Sequence, residues 1–258
     1  MTSPGRVGTI VAHELRLAVR DPISIMVLVG FPIVTMAFLQ RAFRPVLVQR
    51  GYEGATGAEH VVPGQATMGA FFIVAMVTFA FFAEHGWGTW DRLRASAAGP
   101  LEIVLGKSIP RVALVLAQFA LIFGVGFLAM HLHVRGSAIA LVPLAVVYSV
   151  CLVLLGVAVT AVCRTAQQAN AIAFAGMVMF GAIGGAFVPL EVLPGWARAI
   201  GPATPTYWTM RGFRSVILDG RGFAAIVTPV GVLIAMTLGF VLVAVARLRF
   251  DDRKIGWS

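Results

Sequence analysis

Apolar residues fall in six long runs, at 23–39, 65–83, 112–130, 138–162, 169–189 and 223–246, separated by polar or proline-broken stretches. Each comes close to, or exceeds, the roughly 20 residues a helix needs to cross a hydrocarbon core about 30 Å thick. Lipid offers no partner to backbone N–H and C=O groups, so runs of this length become helices, which satisfy those groups internally. The pattern predicts an all-α integral membrane protein with six transmembrane helices in a single transmembrane domain over 1–258. The first run starts behind a 22-residue polar leader and has no small-x-small exit, so it reads as a retained signal anchor rather than a cleaved signal.

The stretches between the runs carry their own patterns. In the leader, Thr9, His13, Arg16 and Arg20 share one helical face by 4, 3, 4 spacing, and Val7, Ile10, Val11 and Ala18 lie on another. Such an amphipathic segment, 1–22, suits a helix lying in the inner membrane interface. Asp21 and Pro22 then end it and open the first span. The stretch 190–222 holds Pro194, Pro202 and Pro205, which rule out a seventh straight span. Short helices dipping into the outer leaflet are expected there, anchored by Trp196, Tyr207 and Trp208, with Arg198, Arg211 and Arg214 facing water or lipid phosphates. Gly181 and Gly185, four apart beside Ala182 and Gly184, permit close helix approach, either within the chain or at a seam with a second copy.

Composition supports the membrane reading. The chain is 59% hydrophobic and 12% charged with a mean hydropathy of +0.90, against about 25% charged in soluble domains. Its net charge of +9 is spread over the ends of the runs, so membrane topology rather than nucleic acid explains it. With both termini cytoplasmic, the inner segments hold Arg6, Arg16, Arg20, Arg92, Arg94, Lys107, Arg111, Arg164, Arg247, Arg249, Arg253 and Lys254, which is 12 of the 20 basic residues. This places the chain as a multi-pass protein of the plasma membrane. The two cysteines, Cys151 and Cys163, are about 18 Å apart along a helix and read as buried apolar fillers, not a disulfide.

Little catalytic chemistry is on offer. Gly106-Lys107-Ser108 resembles the end of a phosphate-binding loop, but Leu101 stands where its first glycine belongs, so no ATP or other cofactor is expected on this chain. His131 and His133 lack a third ligand for a metal. The serine and threonines of the runs have no histidine or carboxylate at their depth, so an enzyme is not expected. Inside the six runs there is no Asp, Glu, Lys, Arg or His. A proton- or sodium-driven carrier needs such a group at mid-membrane, so the energy source should lie outside the membrane. Thr78 and Gln118 are then the polar candidates for lining an apolar pathway.

The polar loop 84–111 is where an outside energy source would act. Trp87, Trp90 and Leu93 fall at i, i+3, i+6, one face of a helix, with Asp91, Arg92 and Arg94 turned to other sides. That face could press into a groove on a soluble partner or rest among lipid headgroups; the spacing fits both.

Three sets of residues resemble the permeases of type-2 ATP-binding cassette (ABC) transporters, in the right order along nearly the whole chain. They are Arg20-Asp21-Pro22 with Phe31-Pro32; Glu84, Gly88-Thr89, Leu93, Pro100, Leu105 and Gly106-Lys107; and Phe187, Pro189, Leu193-Pro194, Trp196, Pro205, Tyr207 and Arg211. His85 departs from the pattern, which more often has Arg or Lys after the acidic residue. The resemblance implies six spans, an interfacial N-terminal helix, a cytoplasmic coupling helix in 84–111 and two outer re-entrant helices in 190–222. It also implies a pair of permeases, identical or homologous, each bound to a separate ABC ATPase subunit that holds ATP and magnesium. Glu84, Trp87, Trp90, Asp91, Arg92 and Leu93 would couple to that ATPase. The expected function is export of an apolar or amphipathic compound (drug, lipid or lipid-linked glycan) from a bacterial cell; an ATP-independent carrier, a lipid scramblase or a structural membrane anchor are the alternatives.

Overall fold

A computed structural model describes residues 4–20, 23, 26–96 and 98–247, the side chains of residues 4, 18, 19, 85, 93 and 94 excepted. Among them there is no strand. The helices are α1 (Pro4–Val19), α2 (Phe31–Val48), α3 (Ala58–Gly86), α4 (Trp90–Ala95), α5 (Pro100–Ala129), α6 (Leu141–Val162), α7 (Ala166–Ile183), α8 (Gly195–Ile200), α9 (Pro205–Ile217) and α10 (Val227–Arg247). A π-helical turn, Met26–Gly30, leads into α2. Asp21 and Pro22, expected to divide the leader from the first span, lie outside the described residues.

Six helical stretches are long and apolar enough to cross a membrane: Met26–Val48, Ala58–Glu84, Pro100–Ala129, Ala138–Val162, Ala166–Ile183 and Phe223–Arg247. They match the six apolar runs in number and order but not in their ends. The first continues to Val48 and carries Arg41 and Arg44; the second begins at Ala58 and takes in Glu59, His60 and Glu84; the third begins at Pro100 and includes Glu102, Lys107 and Arg111. The expectation that the spans hold no ionisable residue is therefore true of the apolar runs and false of the helices.

Capping explains the difference. Glu59 accepts hydrogen bonds from the backbone N–H groups of Thr56 and Gly57, both at 3.0 Å, and so starts α3 well before its apolar part. Glu102 accepts from the Gly99 N–H at 2.9 Å in a similar arrangement, with Pro100 in the first turn of α5. A carboxylate there satisfies an otherwise orphaned donor and complements the positive end of the helix dipole.

α3 is the central helix, packed on α2, α5, α6 and α7, while α10 lies along α6. Side chains of α5, α6 and α9 fill the middle with rings: Phe213 sits 5.5 Å from Phe123 and 6.0 Å from Phe119, and Phe119 meets Tyr148 edge-on at 6.3 Å. Such pairs suit the interior of a bundle whose outer faces are also apolar, where association rests on close packing rather than exclusion of water.

At the end opposite α1, α7 stops at Ile183, six residues short of the expected 189. Gly184 caps it and Gly185 turns the chain with φ +83. Gly181 and Gly185 therefore do not share a helical face. Gly181 packs on Met68 of α3, and a side chain at Gly185 would run into Leu190 at 2.5 Å. Beyond this turn, α8 and α9 form as two short helices. Thr204 caps α9, and Thr209, Met210, Phe213, Val216 and Ile217 of its buried face enter the bundle. Arg198 and Arg211 are exposed, Arg211 lying 5.4 Å over Trp208. Arg214, expected to face water or phosphate, instead bonds to Glu191 and, at 3.1 Å, to the Tyr52 hydroxyl.

Candidate functional site

The apolar stripe of α1 binds this helix to the first half of α5. Val7, Ile10 and Val11 are half-buried, and the next position on the same face, seven residues after Val7, is Glu14, which is buried. Helical geometry thus delivers a carboxylate to the inner face of the helix. α5 receives it at Gly106, Lys107 and Arg111. A Cβ at Gly106 would lie 2.5 Å from Ile10 Cγ2, so glycine is what lets α1 approach.

Lys107 is the centre of the site. Its side chain is only 3% exposed, and its ammonium donates to Glu14 Oε1 at 2.9 Å, Glu84 Oε1 at 2.7 Å and the Ala80 carbonyl at 3.2 Å. All three N–H donors of a lysine are thereby used. Arg111 adds a second cation, donating to Glu14 Oε2 at 2.9 Å and to the Lys107 carbonyl. Two carboxylates and two cations balance, which a dry site requires of buried charges. Arg6, 3.6 Å from Glu102, ties the other end of α1 to the start of α5.

Glu84 joins this network to the loop. Its second carboxylate oxygen accepts from the Thr89 hydroxyl, and its carbonyl accepts from the Thr89 N–H at 3.0 Å. The turn this closes contains Gly88 at φ +67, a conformation glycine adopts without strain. Glu84, Gly88-Thr89 and Gly106-Lys107, dispersed in sequence, thus meet at one junction of α1, α3, α5 and the start of α4.

The expected aromatic face is not formed. α4 is only six residues long, and the Gly88 turn separates Trp87 from it. Trp87 is 64% exposed and meets Phe79 edge-on at 6.3 Å, whereas Trp90 is 7% exposed and belongs to the core. Asp91 and Arg92 are exposed on α4. Leu93 lies in α4, but its side chain is outside the described residues. His13 and Arg16 of α1 and Arg20 just after it are exposed.

Thr78 is buried and donates to the Ala75 carbonyl at 2.8 Å. Gln118 lies in the seam between α3 and α5, donating to the Ala66 carbonyl at 3.2 Å while its Oε1 has no hydrogen-bond partner among the described residues. Thr78 is thus bonded back to its own helix, and Gln118 across to a neighbouring one. The residues of this junction that the sequence reading does not assign to a site are Glu14 and Arg111, together with Glu102 at the start of α5. Glu14 continues the 7, 10, 11 stripe in the sequence, but the stripe alone does not show which helix it packs against.

The network makes stability depend on pH. Burial raises the Glu14 pKa, but the charges of Arg111 and then Lys107, with their hydrogen bonds, outweigh it and hold the carboxyl below its ordinary 4.5. A depressed carboxylate stabilises the fold above its unfolded value, and that contribution is lost as the pH falls through the lowered value. The thermal midpoint of the purified chain should therefore drop on acidification below about 4.5, and Glu14→Gln should flatten that part of the profile. An unchanged slope in Glu14→Gln would show that other carboxylates carry it.

No group of three or more His, Cys, Asp or Glu side chains able to hold a metal occurs among the described residues. A family model described as ABC-2 type transporter matches residues 6–218. Among curated proteins, the chain is similar to the "Probable multidrug ABC transporter permease YbhR" of Escherichia coli K12 and of Escherichia coli O157:H7, 29% identical to each over 139 residues, or 54% of this chain. The match spans 38% of the length of those relatives.

Proposed function

The chain belongs to the ABC-2 type transporter family, and from that premise we propose that it is the permease subunit of an ATP-driven exporter of an apolar or amphipathic compound. The observation that carries this reading is the buried junction at Lys107. It fastens α1, the end of α3 and the start of α5 into one body directly beside α4, so a push on α4 is passed to two spans at once. In this reading the α1 end of the bundle is cytoplasmic, as are both termini, and the membrane is the plasma membrane. The stretch 84–111 is the coupling loop, 190–222 the outer re-entrant segment, and 1–258 one permease domain. ATP and magnesium belong to a separate ABC ATPase subunit, and a second permease, identical or homologous, completes the pair.

ATPase closure would bias the permease between two arrangements, and only a differential contact with α4 in the two states can transmit that bias. Asp91 and Arg92 are the exposed groups placed for this contact. Trp90 is a positioning residue, since its buried ring fixes α4 against the core.

The test is co-purification with the ATPase encoded beside this chain. Asp91→Ala should weaken association by about thirtyfold, the roughly 2 kcal/mol at which an interface hot spot begins, with the fold intact by thermal midpoint. Trp90→Ala should lower both stability and stimulation of the ATPase. Unchanged association and stimulation in both variants would refute the coupling assignment. Movement of substrate in liposomes without any ATPase would replace the exporter reading with a carrier or scramblase.

A further inference from the structure

The outward side of α2 changes character within two turns. Val34 and Phe38 are 56% and 78% exposed, as suits the lipid-facing side of a span. Arg41 lies on the same face, seven residues after Val34, and Arg44 flanks it one turn further on; both are exposed. From Phe38 to Arg44 the helix rises about 9 Å. With Phe38 in hydrocarbon, the two guanidinium groups stand at the depth of the headgroups, in the leaflet opposite α1.

The other arginines nearby are occupied. Arg50 and Arg214 bond to Glu191, and Arg135 donates to the Glu53 carbonyl at 3.2 Å. Arg41 and Arg44 have no hydrogen bond or ion pair among the described residues. Like charges one turn apart on a helix repel each other, so the pair calls for an anion.

Beside them lies a recess of about 490 Å³ between α2 and the loop that leads to α3, lined by Gln40, Arg41, Arg44, Gly54, Ala55 and Thr56. That volume falls within the roughly 300–1,000 Å³ usual for ligand pockets. The loop is shaped to lie against α2. Gly57 has φ +95, and a Cβ there would run into the Gln40 carbonyl; the Tyr52 N–H bonds to the Leu47 carbonyl at 3.2 Å. Among the described residues no carboxylate lines the recess. Glu59 is turned to the N–H groups of Thr56 and Gly57, and Glu53, exposed on the same loop, forms no ion pair with either arginine. The Gly54 N–H also has no hydrogen-bond partner among the described residues.

The planar fork of arginine matches two oxygens of a phosphate at once. Free phosphate would satisfy these donors but leave the apolar surface beneath them bare, whereas a lipid fits both parts. We propose that the recess binds the phosphate headgroup of an anionic membrane lipid, with Arg41 and Arg44 as its ligands, the Gly54 N–H as a further donor and the surface of Val34 and Phe38 along its chains. This goes beyond the permease reading and does not rest on it.

For the test, the chain in dodecyl maltoside, an uncharged detergent, is titrated separately with phosphatidylglycerol, phosphatidylcholine and inorganic phosphate, and bound molecules are counted by native mass spectrometry. Saturable binding of phosphatidylglycerol is expected, tighter than that of phosphatidylcholine. Arg41→Gln and Arg44→Gln should each weaken the tightest phosphatidylglycerol site about tenfold, the scale of losing a charge-assisted hydrogen bond. Arg198→Gln, at an exposed arginine of α8, should leave it unchanged. Arg41→Lys combined with Arg44→Lys keeps both charges but not the forks and should retain only part of the affinity. Thermal midpoints without lipid should match the parent in all four variants, since the substituted side chains are exposed. Equal binding of the two lipids, an equal loss in Arg198→Gln, or full affinity in the double lysine variant overturns the site. So does phosphatidylglycerol binding indifferent to both glutamine variants, whether a second copy covers the recess or nothing does. Inorganic phosphate that saturates the site at the same concentration as the lipid overturns the lipid as occupant.

Discussion

Lys107→Met should cost about 3–5 kcal/mol of stability, the usual result of removing one partner from a buried ion pair. Methionine keeps the apolar stem and fills nearly the same space, so the loss isolates the charge. Without the ammonium, Glu84 has no described cation left to it and Glu14 retains only Arg111. Two carboxylates would then face each other in a site where the lysine is 3% exposed. Only one of them keeps a cation, Arg111 on Glu14, so the desolvation of the other is uncompensated. The measurement is a denaturant titration in mild detergent followed by tryptophan fluorescence. A midpoint that implies less than about 0.5 kcal/mol of change, the scale of a surface substitution, would mean that water reaches the network.

The same logic predicts the sign of a double variant. Removing Glu14 and Lys107 together, as Glu14→Leu with Lys107→Met, takes out one charge of each sign and leaves Arg111 and Glu84 as the remaining charges of the network. Replacing a buried pair by apolar groups of similar volume is often nearly neutral. The double variant should therefore be more stable than the sum of the two single losses by about 0.5–3 kcal/mol, the coupling expected of groups in one network. Activity should not recover with stability, because the junction would no longer hold Glu84 and the Thr89 turn beside α4.

The six spans were legible because hydropathy reads the solvent, and a run such as 138–162 has no soluble alternative. Their ends were not legible in the same way. Glu59 and Glu102 extend α3 and α5 beyond the apolar runs by capping backbone donors, a local hydrogen-bonding effect to which hydropathy is blind. The spacing of Trp87, Trp90 and Leu93 assumed one unbroken helix, and Gly86 and Gly88 were the sign that it would break. Gly181 and Gly185 illustrate the same point, since a four-residue spacing means a shared face only while the helix lasts, and α7 ends between them. The residues of the site were partly visible. Glu84, Gly88-Thr89 and Gly106-Lys107 were recognisable as a set, but a chain read in order gives no sign that Glu14 of the leader closes it. That contact depends on how α1 lies against α5, which only tertiary packing decides.

Gly106→Ala tests that packing by the sign of its effect. In an exposed helix interior, alanine is favoured over glycine by about 1 kcal/mol. Here the new Cβ would stand 2.5 Å from Ile10 Cγ2 and 2.7 Å from Ile10 Cβ, closer than atoms can rest, so α1 must move away from α5. Overpacking of this kind costs about 1–3 kcal/mol, which outweighs the propensity gain. The displacement has a second consequence. Glu14 lies one turn beyond Ile10 on the same face, so a shift of α1 stretches its bonds to Lys107 and Arg111 and lets water into the junction. Gly106→Ala should therefore lower the thermal midpoint, speed maleimide labelling of a cysteine placed at half-buried Val11, and reduce stimulation of the proposed ATPase partner. Ile10→Ala, which removes Cγ2 and Cδ1 but leaves Cβ at 2.7 Å, should restore only part of all three in the Gly106→Ala background, although it would be destabilising by itself. A Gly106→Ala variant as stable as the parent, or more so, would show that α1 does not lie against α5 at this distance. A stability loss that Ile10→Ala repairs while coupling stays lost would separate the docking of α1 from the transmission of force through Lys107.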